Sequence, residues 1–376
     1  MIDLLSTPES EIVNLSDIAT DVEYIPLQTL DKSLIQYIND LKTTKNKIYI
    51  NNVYHEIICF DSTGHYLNKL SKVGRGPGEY QSIMNFDVNY KADMLIGLTL
   101  SKDIFVYNIV GNDFIFNKSI NIKSETEKPG GVKLINFIPG QNNILLSYFN
   151  TGDEPFLNLL IDLKGDIVNK RVNYFKFPES FSGKIGLASN FPNIIYSYNN
   201  SLCFRAWYSD TVFTFDQSDK IIQRIILSSD NKPVSLDILA DRINNQSNPV
   251  VETLMEVPRY ILYRYIIRTG TYYKGSFEVY DKYINKKFRI TEFSRGNPEK
   301  WLKDDIIGGA DFEPKFCCDG KLYSWIDALT LKEYFSSDSF KNSVVKNPEK
   351  KKTLGKLDDS LKETDNPILI VVTPKK

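Results

Sequence analysis

Histidine is almost missing from this chain: His55 and His65 are the only two in 376 residues. They stand ten residues apart across a predicted turn, a spacing with no standard ligand geometry, so a metal centre built on several imidazoles is excluded. A Ser/His/Asp triad would have to recruit one of them, and no Gly-x-Ser-x-Gly elbow is present. Cysteine is also scarce. Cys59 and Cys203 are isolated and Cys317 and Cys318 are adjacent, which is not a disulfide framework. Isolated cysteines on apolar strands read as small buried hydrophobes. Neighbouring side chains on a strand point to opposite faces, so Cys317 and Cys318 make a poor zinc pair. Neither sign of charge dominates: 46 Lys and Arg meet 47 Asp and Glu, a net −1. Without a basic field, binding of nucleic acid through bulk charge is disfavoured. No apolar run approaches the ~18 residues of a membrane span. No basic, apolar and small-residue leader follows Met1.

What is abundant points to strands. Tyr and Phe number 22 each, and aromatic residues suit pleated, half-buried surfaces. A turn marker recurs, an apolar residue then Asp or Asn, two variable residues, and usually Gly or Asp. It occurs at Phe60–Gly64, Tyr107–Gly111, Ile161–Gly165 and Phe215–Asp219, with a degenerate copy at Tyr280–Ile284. Asp or Asn opening a turn that Gly closes is the chemistry of a tight hairpin. The intervals, about 47 to about 65 residues, are those of propeller blades with insertions. Short β-branched and aromatic runs flank each marker, among them Lys47–Ile50, Glu56–Phe60 and His65–Leu70. A sixth unit has strands at Lys321–Ile326 and Pro367–Val372 but no marker, because the chain ends there. Its missing outer strand is supplied by Val22–Leu27. Sharing one blade between the termini closes the ring and hides an edge. The sequence predicts one domain over 1–376, an all-β six-bladed β-propeller with small helical insertions.

Two segments break the strand pattern. Residues 234–247 place Leu236, Leu239 and Ile243 on one helical face after Pro233 and read as a helical insertion. Residues 338–364 are Lys-rich and polar and read as a solvated surface excursion. Between the first two units lies Gly74-Arg75-Gly76-Pro77-Gly78-Glu79-Tyr80. Its three glycines allow positive φ, and successive amides beside Arg75 suggest an anion nest. It lacks the Lys-Ser/Thr ending of a phosphate loop, and an echo at Ser294–Glu299 marks another crossing between units. A structural joint, with Arg75 and Glu79 pairing locally, explains it better than a ligand.

This heptapeptide, the stretch Cys59–Leu67, the ending Asp365–Ile370 and the opening Leu15–Leu27 together resemble the six-bladed propeller proteins abundant in Bacteroides-type bacteria, mostly uncharacterised and usually made as lipoproteins. The joint is also similar to the connections of NHL-repeat propellers, whose lyases hold a metal with several histidines that this chain cannot supply. The resemblance implies export to the periplasm or cell surface and a lipid anchor at a Cys not contained in this sequence. It implies no established reaction.

Candidate functional residues are therefore few. Arg205, Trp207 and Tyr208 end a predicted strand, and Tyr263, Arg264 and Arg268 cluster in another. Guanidinium groups beside aromatic faces suit sugars and peptides. Asp304-Asp305 and Asp311/Glu313, next to Gly308-Gly309, read as loop carboxylates rather than a catalytic pair. The sequence reading is a non-catalytic binding module for a glycan, peptide or envelope protein at the channel mouth. It has no cofactor, although a calcium ion held by carbonyl and Asp oxygens is compatible with it. The competing reading is a lyase or glycosidase-like enzyme, which needs at least two titratable side chains converging in the channel.

Overall fold

The computed structural model describes residues 1–89, 91, 93–120, 132–149, 154–173, 193–206, 209–215, 220–228, 249–269, 272–297 and 299–376. A short strand β1 (Ile2–Asp3) and β2 (Ala19–Pro26) precede the first complete blade. Blade 1 is β3 (Ile38–Thr43), β4 (Lys47–Asn52), β5 (Glu56–Asp61) and β6 (Tyr66–Leu70). Blade 2 is β7 (Ile83–Val88), β8 (Met94–Thr99), β9 (Ile104–Val110) and β10 (Asp113–Ile120). Blade 3 is β11 (Val132–Phe137), β12 (Ile144–Tyr148), β13 (Phe156–Ile161) and β14 (Ile167–Val172). Blade 4 is β15 (Ile194–Tyr198), β16 (Ser201–Arg205), β17 (Thr211–Phe215) and β18 (Ile221–Ser228), with β1 added in parallel to β18. Blade 5 is β19 (Val250–Glu256), β20 (Tyr260–Thr269), β21 (Tyr272–Asp281) and β22 (Lys286–Ser294). Blade 6 takes β23 (Phe316–Cys318), β24 (Lys321–Ile326) and β25 (Ile368–Pro374) from the end of the chain. Its outer strand is β2, paired from Ala19↔Pro374 to Pro26↔Ile368. The fold is a six-bladed β-propeller closed by strands from both termini, as the unpaired Val22–Leu27 predicts.

The core is a set of seams between neighbouring sheets. Tyr49, Phe86 and Tyr107 fill the seam of blades 1 and 2, Ile96, Val106 and Leu146 that of blades 2 and 3, and Leu145, Leu202 and Phe204 that of blades 3 and 4. Each such fully buried side chain stabilises the ring by about 1.5–3 kcal/mol, so adjacent blades hold each other upright. The turn markers join third to fourth strands. Asp61 accepts the amides of Thr63 and His65, and Asp162 those of Lys164 and Asp166. The second marker is displaced. Asn108 lies inside β9, opposite Ile115, and Gly111 at φ +63 makes the turn three residues later. The marker at Phe215–Asp219 and the insertion at 234–247 lie largely outside the described residues.

The excursion departs from its solvated reading. Residues 328–360 form three helices, α1 (Ala328–Ser336), α2 (Asp338–Asn342) and α3 (Pro348–Ser360), between β24 and β25. Asn347 caps α3 by accepting the Lys350 amide, with Pro348 at the first helical position. Within 338–364 Leu354 and Leu361 are buried and Phe340 and Leu357 pack against the core, beside the buried Leu331 and Phe335 of the preceding α1, so a sparse apolar face docks the segment although lysine dominates its composition.

Candidate functional site

In an antiparallel four-stranded blade, the crossing to the next blade and the turn between second and third strands leave at the same end of the sheet. On blades 1 and 2 these segments join into one rim. The Val53 amide donates to Tyr37, the Ile83 amide to Tyr54, and the Leu100 amide to Ser82. Along this arc Leu34, Tyr37, Tyr54, Met84 and Leu100 are exposed, Tyr37 by 66%. Val53 and Tyr54 sit at φ +53 and +63, a left-handed conformation that glycine or asparagine adopts at less cost. A β-branched residue and a large aromatic held there cost about 1–2 kcal/mol each.

The first strands of blades 1, 2 and 3 carry a polar cluster on the channel wall. With a strand's two-residue period, Asp40 and Lys42 share one face of β3, and Asn85 and Asp87 one face of β7. Lys42 Nζ lies 3.3 Å from Asp40 Oδ2. The Asn85 amide donates to that same oxygen at 3.1 Å and accepts the Ile135 N–H of β11 at 2.8 Å. Asp87 Oδ2 accepts the Phe137 N–H at 2.8 Å. Asp40 and Lys42 keep 22% and 19% of their side-chain surface open to water, as channel-lining groups do. Burial pushes the Asp87 carboxyl up to about 6, with Lys42 and the Phe137 amide pulling the other way. Burial raises Asp40 too, against Lys42. For Lys42 burial works downward, but Asp40 and Asp87 outweigh it and its value rises. Sequence reading missed this cluster because the polar first strands do not look like strands. The signal available was Asp40-Leu41-Lys42 followed by Asn85-Phe86-Asp87, polar pairs two apart in successive units.

The candidate residues picked from the sequence are placed as follows. Arg205 ends β16, is 3% exposed, and donates Nη1 to the Val251 carbonyl. Tyr263 is fully buried and gives its hydroxyl to Glu278 at 2.9 Å. Arg264, next to it on β20 and facing the other way, pairs with Glu252 and Glu299 and stacks 4.2 Å from the Phe293 ring centre. Arg205 and Arg264 thus reach adjacent residues of β19, whereas Tyr263 faces the blade interior. Trp207 and Tyr208 lie outside the described residues, as does the side chain of Arg268. Asp304 is a buried loop group that accepts the amides of Ile306, Ile307 and Gly309, and Asp305 accepts from Ser16.

The heptapeptide joins β6 to β7. Its would-be nest is filled from within: Glu79 Oε2 accepts the Gly76 amide at 2.7 Å, and a Cβ on Gly74 would lie 2.0 Å from that oxygen. Arg75 and Pro77 are exposed, and no Arg75–Glu79 ion pair forms among the described residues. Gly78, at φ +74, packs against the Phe116 ring and offers its carbonyl to the Tyr107 hydroxyl. The Tyr80 hydroxyl sits 3.1 Å from the carbonyls of both Leu70 and His55. Among the described residues, no group of three or more His, Cys, Asp or Glu is arranged to hold a metal, and no helix is long and apolar enough to cross a membrane.

Comparison with known proteins adds a family and a fold. A solved structure from Bacteroides fragilis, of a protein named as a candidate exported protein, is similar over 98% of this chain and 99% of its own, with 18% identity and a TM-score of 0.68. A member of the duf4221 family from Bacteroides vulgatus covers 95% of this chain and 97% of its own at 14% identity and a TM-score of 0.48. No curated protein matches the sequence. Residues 1–373 match the family described as Domain of unknown function (DUF4934), and the chain belongs to that family.

Proposed function

We propose that this propeller is a non-catalytic binding module of the bacterial envelope that recognises a glycan, peptide or protein partner on its crossing face. The observation carrying this reading is the rim of Tyr37, Tyr54, Met84 and Leu100, where a continuous backbone network displays exposed apolar side chains. Strain at Val53 and Tyr54 supports it, since a turn optimised for stability alone would place Asn or Gly there. Rigid scaffolds commonly carry recognition on such loops. Arg264 of blade 5 is a proposed contributor, and Trp207, Tyr208 and Arg268 are proposed from the sequence alone. Export is part of the proposal and is supported by the naming of the Bacteroides fragilis relative; a lipid anchor and a place at the periplasm or cell surface are proposed on the sequence resemblance alone. Kinship with NHL-type repeats is likewise proposed on the sequence resemblance alone. The test is a glycan and peptide array probed with the wild type and with Tyr37→Ala/Tyr54→Gly. A hit that weakens at least tenfold in the variant supports the reading, and one that is indifferent to the rim overturns it.

A second reading is favoured by one observation. Asp40, Lys42 and Asp87 converge on the channel wall, which is the minimum an acid–base enzyme requires. A lyase or glycosidase-like activity predicts turnover of an array hit that Asp40→Asn or Asp87→Asn abolishes.

A further inference from the structure

We propose that Arg224, Arg259 and Lys282 form a binding site for an acidic saccharide on blades 4 and 5, at the end of the sheets opposite the crossing face, with the Tyr283 ring as its sugar platform. The turns around it, β15–β16, β19–β20 and β21–β22, all leave their blades at that far end. Arg224 is the extra residue of a β-bulge: Gln223 pairs with Phe213 and Ile225 with Val212, so its side chain is re-aimed out of the ladder towards blade 5. There its Nε and Nη2 donate to the two oxygens of Glu256 at 3.0 and 2.8 Å. Arg259, in the β19–β20 turn, sets Nε and Nη2 on Asp281 Oδ2 at 2.8 and 2.7 Å. Asp281 opens the fifth turn marker, and its other oxygen accepts the Tyr283 amide. Lys282 ties the two arginines together, its amide donating to the Arg259 carbonyl and its Nζ to Glu256.

The carboxylates aim the guanidinium groups without using them up. An arginine has five N–H donors in a rigid planar fork, and both Nη1 groups have no partner among the described residues. Glu256 and Asp281 keep only 2% and 3% of their side-chain surface while each arginine keeps 27%, so the cationic side faces water. Tyrosine rings fix the forks from their faces: Arg224 lies 4.6 Å from the Tyr198 ring centre, and Arg259 lies 5.3 and 5.5 Å from those of Tyr260 and Tyr283. Lys282 spends its donors on Tyr198, Glu256 and Val257, and so contributes charge alone. Asp17 borders the site beyond Tyr260. Preoriented guanidinium edges of this kind match the paired oxygens of a carboxylate or a sulfate. Beside them the Tyr283 ring, 64% exposed, offers an apolar face to a sugar. A chain of net −1 holds no anion by bulk charge, so geometry has to select this ligand.

The experiment is calorimetric titration of the full chain with an oligogalacturonate, a heparin-derived oligosaccharide, a neutral dextran oligosaccharide and an oligothymidylate. The expected result is saturable binding of the carboxylated sugar, the sulfated sugar or both, and none of the neutral one. Arg259→Gln should weaken it about tenfold or more, and Tyr283→Ser by less. Tyr37→Ala/Tyr54→Gly should bind as the wild type does, which separates this site from the crossing face. No saturable binding of either acidic sugar, equal binding of the oligothymidylate, or loss in the rim variant but not in Arg259→Gln would overturn the proposal. If Arg259→Gln does not fold, the exposed Tyr283→Ser decides: an unchanged affinity overturns the site.

Discussion

Blades 4 to 6 and blades 1 to 3 solve the same packing problem differently. The first 26 residues run along the outside of the former: Ile2–Asp3 pair with β18, Glu9 and Ile12 donate to carbonyls of β22, Leu15 donates to Lys303, and β2 completes blade 6. Behind this belt sit charged groups that are buried and paired. Glu256 is held by Arg224 and Lys282 at 2.8 and 2.9 Å, which overcomes its burial and leaves its carboxyl below the usual range. Glu278 and Lys287, 1% and 7% exposed, pair at 3.1 Å, and Lys287 also donates to the carbonyls of Asp3 and Leu4. Side chains that seize a neighbouring blade's backbone cross seams in both halves, as Asn51 does at Ile83, Asn85 at Ile135 and Arg205 at Val251, but among the described residues of blades 1 to 3 no ion pair as buried as Glu278–Lys287 accompanies them. Where the chain stitches the rim, charge is buried and satisfied. Where it does not, polar groups stay at the channel and apolar side chains are exposed at the rim.

The comparison can be broken at several points. Deleting residues 1–26 removes an outer strand and the belt together, and should abolish cooperative urea unfolding. A sharp transition in the truncated chain would show that blades 4 to 6 do not depend on the belt. Lys287→Met strands Glu278 in the core and should cost about 3–5 kcal/mol, much of it returned by adding Glu278→Gln. Additive effects in that double-mutant cycle would mean that the pair is not coupled. On the unbelted side, Gly78→Ala forces a Cβ to within 2.5 Å of the Phe116 ring at φ +74 and should cost about 1–3 kcal/mol.

Smaller effects follow at the polar cluster and the rim. Asp87→Asn should stabilise the protein by about 1–3 kcal/mol at pH 8 and by nothing near pH 3.5, because the half-buried wild-type carboxyl, pushed up to about 6, releases its proton late. Tyr54→Gly should raise stability by up to about 1–2 kcal/mol, read from the urea midpoint, because glycine relieves the left-handed strain. A loss of stability there would remove strain as support for a recognition rim.

The ring was legible in the sequence because third and fourth strands meet at Asp-led turns, and because Val22–Leu27 had no local partner. The helices at 328–360 were hidden by lysine: Ala328, Leu331, Phe335 and Leu354 are buried and Tyr334, Phe340 and Leu357 pack beside them, a face too sparse to outweigh the polar composition, although Asn347-Pro348 is a readable start signal. The site was least legible. Asp40, Lys42, Asn85 and Asp87 lie on first strands whose inner edge borders a channel, so their alternation is weak and polar. Tyr263 was selected for its aromatic ring, yet its burial against Glu278 shows only once β20 is paired on both sides. The distinction between Tyr54 and other tyrosines rests on a backbone angle, which residue type alone does not carry.

Binding without turnover at the crossing face is tested most directly by titrating an array-selected ligand against wild type, Tyr37→Ala/Tyr54→Gly and Asp40→Asn/Asp87→Asn, then recovering the ligand for mass analysis. The predicted result is saturable binding lost in the rim variant, retained in the channel variant, and a ligand recovered unchanged. Conversion of the ligand by the wild type but not by the channel variant would contradict the account and assign the chemistry to Asp40 and Asp87.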